Sequence, residues 1–279
     1  MTEPAGENFA SKDEVFRRRS PYPLIFKEQL NFSDLSSSQS KETKMRILVW
    51  NEYAHEKKDE CVQKIYPNGI HNAIADFLRE EGHEVLTATL EDENCGLSEE
   101  LLDSVDVLIW WGHMRHKDVP DESAALVQKK VVDGMGFIAL HSAHHSKPFK
   151  LLMGTPCHLT WREDGDYELI WNVNPAHPIA AGIDRFIKLD HEETYGEPFT
   201  IPEPDETVFI SSYEGGEVFR SGCCFHRGNG RIFYFQPGHE TFPTYYNKDV
   251  QKVLKNAVLW AKPTYRAELS CPHVTKPEI

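Results

Sequence analysis

The chain has no apolar run approaching the roughly 18 residues of a membrane-spanning helix, so a membrane partner is not expected. Its first residues, MTEPAGENFASKDE, have no apolar core, so no secretory signal is expected either. It has no excess of positive charge. Asp and Glu total 44 against 30 Lys and Arg, a formal net charge of −14. Phosphate backbones and anionic bilayers repel such a surface, which argues against nucleic-acid partners and reads most simply as a solubility device. The six cysteines (Cys61, Cys95, Cys157, Cys223, Cys224, Cys271) have no CxxC spacing. Reduced thiols in a cytoplasm are the expectation. There is no internal repeat, no second credible core and no sign of a nucleotide cofactor.

What is present divides into a tail and one large domain. Residues 1–44 include the polar, low-complexity SSSQSKETK and, before it, RRRSPYPLIF. They read as a flexible N-terminal tail that docks at most locally, through Tyr22, Leu24, Ile25 and Phe26. Residues 45–262 read as a single α/β domain, and 263–279 as a C-terminal extension. The roughly 235 residues after the tail are enough for one substantial core.

From Met45 the pattern alternates. MRILVW (45–50), HEVLTATL (83–90), VDVLIWWG (105–112) and GFIAL (136–140) are compact apolar runs, read as strands. Between them lie three helical stretches. Residues 71–82 carry a stripe of Ile74, Phe77 and Leu78 ending at Gly82. Residues 97–104 have Ser98 as N-cap, with Leu101 and Leu102 facing inward. Residues 120–134 have acids first and lysines later, as the helix dipole prefers. Near-continuous apolar strands alternating with helices predict a mainly parallel sheet covered on both faces, flavodoxin-like, in the order 2-1-3-4. Beyond residue 150 the pattern changes. HLTWRE (158–163) and YELIWNV (167–173) read as antiparallel strands, and 217–238 as a hairpin turning at GNG. Residues 249–261 read as a closing amphipathic helix. Cys223 and Cys224 should point to opposite faces of their strand. Region 158–215 reads as an antiparallel insertion or cap on the same domain.

Ten of the 14 histidines lie between residues 113 and 239, and several follow predicted strands directly. Ligands of open parallel sheets bind beyond the carboxyl ends of the strands, where strand order reverses. Those ends carry Asn51 and Glu52 with His55 beyond, Gly112-His113 with His116, and His141-Ser142 with His144-His145. A later strand ends in His239-Glu240. ALHSAHH (139–145) has the small residues of a sharp strand-to-helix elbow, which projects its central side chain, here His141. DHEETYGEPF (190–199) adds His191, Glu192, Glu193 and Tyr195, carboxylates suited to sugar hydroxyls, proton transfer or a divalent metal. Trp161, Trp171 and Tyr195 offer flat apolar faces for a sugar. The resulting expectation has His141 and His239 as base and acid, with Glu240 positioning them. Ser142 is kept as an alternative nucleophile. Asn51, Glu52, His113, Trp161, Glu193 and Tyr195 are expected to bind substrate. His113, His141 and His239 would suit zinc or another divalent ion with one position open.

ALHSAHH stands where class I glutamine amidotransferases carry their GxCxGHQ-type elbow, and PGHE resembles their C-terminal His-Pro-Glu segment. More closely, VWNEYAHEKKDE, LIWWGHMRH, GMGFIALHSAHHSKPFKLLMGT, EETYGEPF, GGEVFRSG and GNGRIFYFQPGHETFPTYYN resemble the trehalose-utilisation (ThuA-like) family over about residues 45–262. The resemblance implies a glutamine-amidotransferase-like fold and a role in sugar catabolism, on disaccharides or their oxidised keto forms. With His rather than Cys at 141 there is no thiolate to form a glutamyl thioester, so glutaminase activity is not expected. The expected enzyme is a cytoplasmic carbohydrate isomerase, lyase or hydrolase, able to form homo-oligomers, using acid/base or metal-assisted chemistry. A non-catalytic sugar sensor and a Ser142-dependent hydrolase are the alternatives.

Overall fold

The computed structural model describes residues 44–277. The tail and its docking residues Tyr22, Leu24, Ile25 and Phe26 lie outside them, except for Lys44. The chain runs β1 (Arg46–Asn51), α1 (His55–Lys58), α2 (Glu60–Ile65), α3 (Ile70–Glu80), β2 (Glu84–Thr89), α4 (Glu99–Ser104), β3 (Val107–Trp111), α5 (Asp121–Val132), β4 (Gly136–Leu140) and α6 (Lys147–Met153). It continues through β5 (Thr160–Arg162), β6 (Glu168–Asn172), β7 (Phe186–Leu189), β8 (Thr194–Gly196), β9 (Glu206–Tyr213), β10 (Val218–Arg227), β11 (Gly230–Phe235) and α7 (Lys248–Ala261).

Nine strands form one sheet in the order β2-β1-β3-β4-β11-β10-β9-β6-β7. The 2-1-3-4 order expected from the sequence holds, and β11 joins β4 in parallel. From β10 outward the pairings are antiparallel. Because side chains alternate along a strand, β1 sends Ile47 and Val49 to one face and Leu48 and Trp50 to the other. The first face packs against α3 and α7, the second against α4, α5 and α6. Cys224 and Cys223 divide between the two faces in the same way. Ser98 caps α4 by accepting from the Leu101 amide at 3.2 Å, and the β10–β11 hairpin turns at Gly228-Asn229.

One expectation needs correction. Region 158–215 is not simply a cap, because β6, β7 and β9 extend the main sheet and only β5 and β8 pair apart from it. β5 and β6 are both antiparallel strands, as expected: β5 pairs with β8, and β6 with β7 and β9. Residues 263–277 contain no helix or strand, yet they are tied to the domain. The Arg266 guanidinium donates to the carbonyls of Leu102, Asp103 and Val105 at the end of α4, where carbonyls run short of intrahelical donors. The Ala267 amide donates to the Asp133 carbonyl.

Candidate active site

β3, β4 and β11 lie side by side, and their carboxyl ends point the same way. Each delivers an imidazole. His113 follows β3 in a loop held by Glu52, whose carboxylate accepts from the Met114 and Arg115 amides at 2.8 and 2.9 Å. His141 follows β4 directly, with φ +52°. A non-glycine residue in that region is uncommon, and such strain is found where the surrounding structure fixes a residue for function. His239 follows β11 through Gly238, where a Cβ would sit 2.0 Å from the Tyr245 hydroxyl, so only glycine passes. Glu192, fully buried, holds this loop by accepting from the amides of Gly238, His239 and Glu193 and from the Thr244 hydroxyl.

The three imidazoles form a triangle. Ring centroids are 5.5 Å apart for His113–His141, 5.2 Å for His113–His239 and 5.4 Å for His141–His239. Each ring meets a carboxylate. Glu240 Oε2 accepts from His113 Nδ1 at 2.9 Å. Glu163 Oε1 lies 2.9 Å from His239 Nε2. Glu193 Oε2 lies 3.0 Å from His141 Nε2, both residues being buried. His141 Nδ1 donates to the Gln236 carbonyl at 3.1 Å, which fixes the ring and turns Nε2 towards the Glu193 carboxylate.

These surroundings push the imidazoles apart electrostatically. Burial disfavours charge on His141, but the Glu193 carboxylate outweighs it and raises the imidazole to about 9. Burial, reinforced by charge on His141, lowers His239 to about 4. Burial raises Glu240, but His113 overrides it and brings the carboxyl down to about 2. At neutral pH the triangle therefore holds one charged and one neutral imidazole side by side. The sequence expectation had His141 as base and His239 as acid; these surroundings favour the opposite order, with the proton on His141 and His239 free to take one.

The crevice beside the triangle is about 400 Å³, within the range of small-molecule sites; His113 lines it directly, while His141 and His239 lie behind Glu193 and Glu163, which do. His113, Ser142, Glu193, Tyr195, Trp161 and Glu163 are among its lining residues. Tyr195 stacks on His141, with ring centroids 5.3 Å apart, and shares a 2.6 Å hydrogen bond with Ser142. The Ser142 hydroxyl is thus joined to a phenol that burial keeps protonated, rather than to an imidazole base. That geometry disfavours Ser142 as an activated nucleophile.

Asn51 and Glu52 were expected to bind substrate, and this is corrected. Asn51 is fully buried, donating to Glu56 at 2.6 Å, contacting His71 at 3.0 Å and accepting from the Tyr53 amide. Glu52 spends both oxygens on backbone amides. Both build the frame of the crevice and not its lining. Trp171 lies on β6, bonded to Ser212. His191 bonds to the Gly165 carbonyl, and His144 to that of Cys157. Glu163 and Gln236 were not singled out from the sequence. The alternation of TWRE, with Trp161 and Glu163 on one face, was the signal available for Glu163. No local signal marks Gln236.

His113, His141, His239 and Glu240 each offer a ligand atom, and these four atoms lie within 4.8 Å of one another. Nε2 of His141 and of His239, with Glu193 Oε2, are buried without a well-formed hydrogen bond; the Nε2–H of His141 is not aimed along its contact with Glu193. Imidazole nitrogens with a carboxylate are a donor set suited to zinc and its neighbours, so the group could hold a divalent metal.

The family model described as trehalose utilisation, ThuA, matches residues 46–261. A putative ThuA-like protein of Parabacteroides merdae is similar in structure, with TM-score 0.60 and 14% identity over 80% of this chain and 93% of that one. One from Bacteroides uniformis gives TM-score 0.58 and 17% identity over 81% and 94%. A putative GMP synthase protein of Thermoplasma acidophilum gives TM-score 0.50 and 14% identity over 77% and 92%, in keeping with a glutamine-amidotransferase-like fold. No curated protein matches the chain. Among the described residues no helix is long and apolar enough to cross a membrane.

Proposed function

The chain belongs to the trehalose-utilisation family, and from that premise we propose that it is a sugar-processing enzyme whose crevice acts on a disaccharide or keto-sugar by acid/base chemistry. The observation that carries this reading is the triangle of His113, His141 and His239, each ring against its own carboxylate, beside a crevice of small-molecule size. His239, neutral, takes a proton from carbon next to the sugar carbonyl. His141 delivers the proton on Nε2 to the carbonyl oxygen, giving an enediol, and Glu193 stabilises the charge that His141 carries beforehand. His113, oriented by Glu240, holds a hydroxyl. From an enediol the chemistry leads to isomerisation or to elimination of a leaving group on the adjacent carbon. Cys is absent at 141, so glutamine is not a substrate.

A metal-assisted form of the same reaction is favoured by one observation, the four ligand atoms within 4.8 Å. His113, His141, His239 and Glu240 would hold a divalent ion such as zinc, which would polarise the sugar carbonyl. The proposed setting is the cytoplasm, where six free cysteines remain reduced.

The test is elemental analysis of the purified protein, followed by a turnover screen of disaccharides and keto-sugars for the wild type and His239→Ala. Turnover lost by a factor of about 10² or more in the variant supports the reading. Sugar binding without turnover would make the protein a sensor. Glutamate release from glutamine would overturn the reading altogether.

A further inference from the structure

The strand pair β5–β8 stands outside the main sheet, yet it reaches over the crevice. Alternation along β5 sends Thr160 and Arg162 one way and Trp161 and Glu163 the other. Arg162 is gripped on its side by Glu217, Asp164 and Asp166. Trp161 pairs directly with Tyr195 across the ribbon, and both line the crevice. The two aromatics differ sharply in burial. Tyr195 is 2% exposed and stacks on His141, whereas Trp161 is 64% exposed. Glu163, 53% exposed, reaches inward to His239.

We infer that the ribbon forms a second sugar subsite, in which Trp161 carries the ring that does not react and so selects disaccharides over monosaccharides. This rests on the sugar reading above and adds the specificity determinant. The crevice has depth: of its lining residues Ser142, His144, Glu193 and Tyr195 are buried, while His158, Trp161 and Glu163 are exposed and form its rim. An indole face beside a half-exposed carboxylate matches a sugar ring, with its apolar C–H face and hydroxyl rim. A large exposed aromatic lining a crevice, on a ribbon clamped from behind by three carboxylates, is placed to be covered by ligand. The packing of the core does not require it.

The experiment is calorimetric titration of the full chain with trehalose, maltose, cellobiose, lactose and sucrose, and with glucose, galactose and fructose. Wild type, Trp161→Ala and Trp161→Phe are compared, with melting temperature as the control for folding. Expected is at least tenfold weaker binding of the preferred disaccharide in Trp161→Ala, with monosaccharide affinity changed by less than twofold or below detection throughout. Trp161→Phe should recover most of the loss. Equal weakening of disaccharide and monosaccharide, no weakening of either, or binding of monosaccharides alone by wild type overturns the subsite and leaves the sugar reading intact. A wild type that binds none of these sugars overturns the subsite, and one that also binds none of their oxidised keto forms overturns both.

Discussion

The two halves of the sheet contribute differently to the crevice. The parallel half, β2-β1-β3-β4 with β11, supplies the imidazoles from strand ends. The antiparallel half and its ribbon supply most of what surrounds them: Glu193 and Tyr195 beside β8, Trp161 and Glu163 on or next to β5. Only Glu240 comes from the same strand end as an imidazole. The parallel half sets position, because neighbouring strand ends aim the same way. The antiparallel half sets charge, because its carboxylate decides that His141 is protonated. A strand-end histidine alone says where chemistry could occur, and the partner from the other half says which proton is available.

Breaking the link between the halves should have the largest effect. His141→Ala leaves the Glu193 carboxylate buried without its partner. Removing one side of a buried ion pair typically costs about 3–5 kcal/mol, which for a domain of this size lowers the melting temperature by about 10 °C. In His141→Ala/Glu193→Ala both charges are gone, and much of that loss should return. A thermal-melt double-mutant cycle measures it. If His141→Ala melts within a degree or two of wild type, the two halves are not coupled through this pair.

The next effect lies within the frame. Glu192 belongs to the antiparallel half's segment but ties down the loop of the parallel half, accepting from three amides and one hydroxyl. Glu192→Ala leaves the buried Gly238 and His239 amides without acceptors, at about 1–3 kcal/mol for each unsatisfied group before water enters. Glu192→Gln keeps the shape but accepts at one oxygen only, and should lose less. Urea unfolding of both variants checks the order. A Gln variant as destabilised as the Ala variant would mean that the charge, not the hydrogen bonding, holds the loop.

The same comparison explains what could be read from the sequence. The parallel half was legible because a buried parallel strand is a continuous apolar run, and Ser98, Gly82 and GNG mark its helices and turns by chemistry that acts locally. His113, His141 and His239 were legible for the same reason: each sits within four residues of the end of such a run, so strand direction brings them together. The antiparallel half was harder. β7 and β9 alternate polar and apolar residues with little else to mark them, and nothing local tells β5 to pair with β8 across more than thirty residues. Asn51 and Glu52 look like crevice residues by position, but their oxygens are consumed by amides that only the folded loop presents. Gln236 shows the limit most plainly. Its backbone carbonyl orients His141, while its side chain accepts from Tyr213 and donates to the Glu193 carbonyl. A single glutamine thus joins the halves through contacts at sequence separations of 95, 23 and 43.

The smallest effect is a pH effect confined to the antiparallel half. Glu168 on β6 is fully buried; one oxygen accepts from the Ser211 hydroxyl and lies 3.2 Å from the Tyr213 hydroxyl, which donates to Gln236, while the other has no hydrogen-bond partner. Burial, then the nearby Glu192, raises its carboxyl well above the usual range. The folded state therefore keeps a proton that the unfolded chain releases near its ordinary value of 4.5. Where the folded protein binds more protons than the unfolded one, stability falls as pH rises. The loss attributable to Glu168 begins as pH passes 4.5 and grows until the folded carboxyl ionises in turn. Glu168→Gln has no proton to lose and can still accept from Ser211. The variant should gain on wild type as pH rises from 5 until the folded carboxyl itself ionises, with the difference narrowing towards pH 4.5. Melts of both proteins across that window provide the check. A difference that is flat with pH would mean that Glu168 is ionised in the folded protein, its charge held by the network around Tyr213 and Gln236. The antiparallel half would then carry a buried charge of its own, where the present geometry gives it a neutral acid.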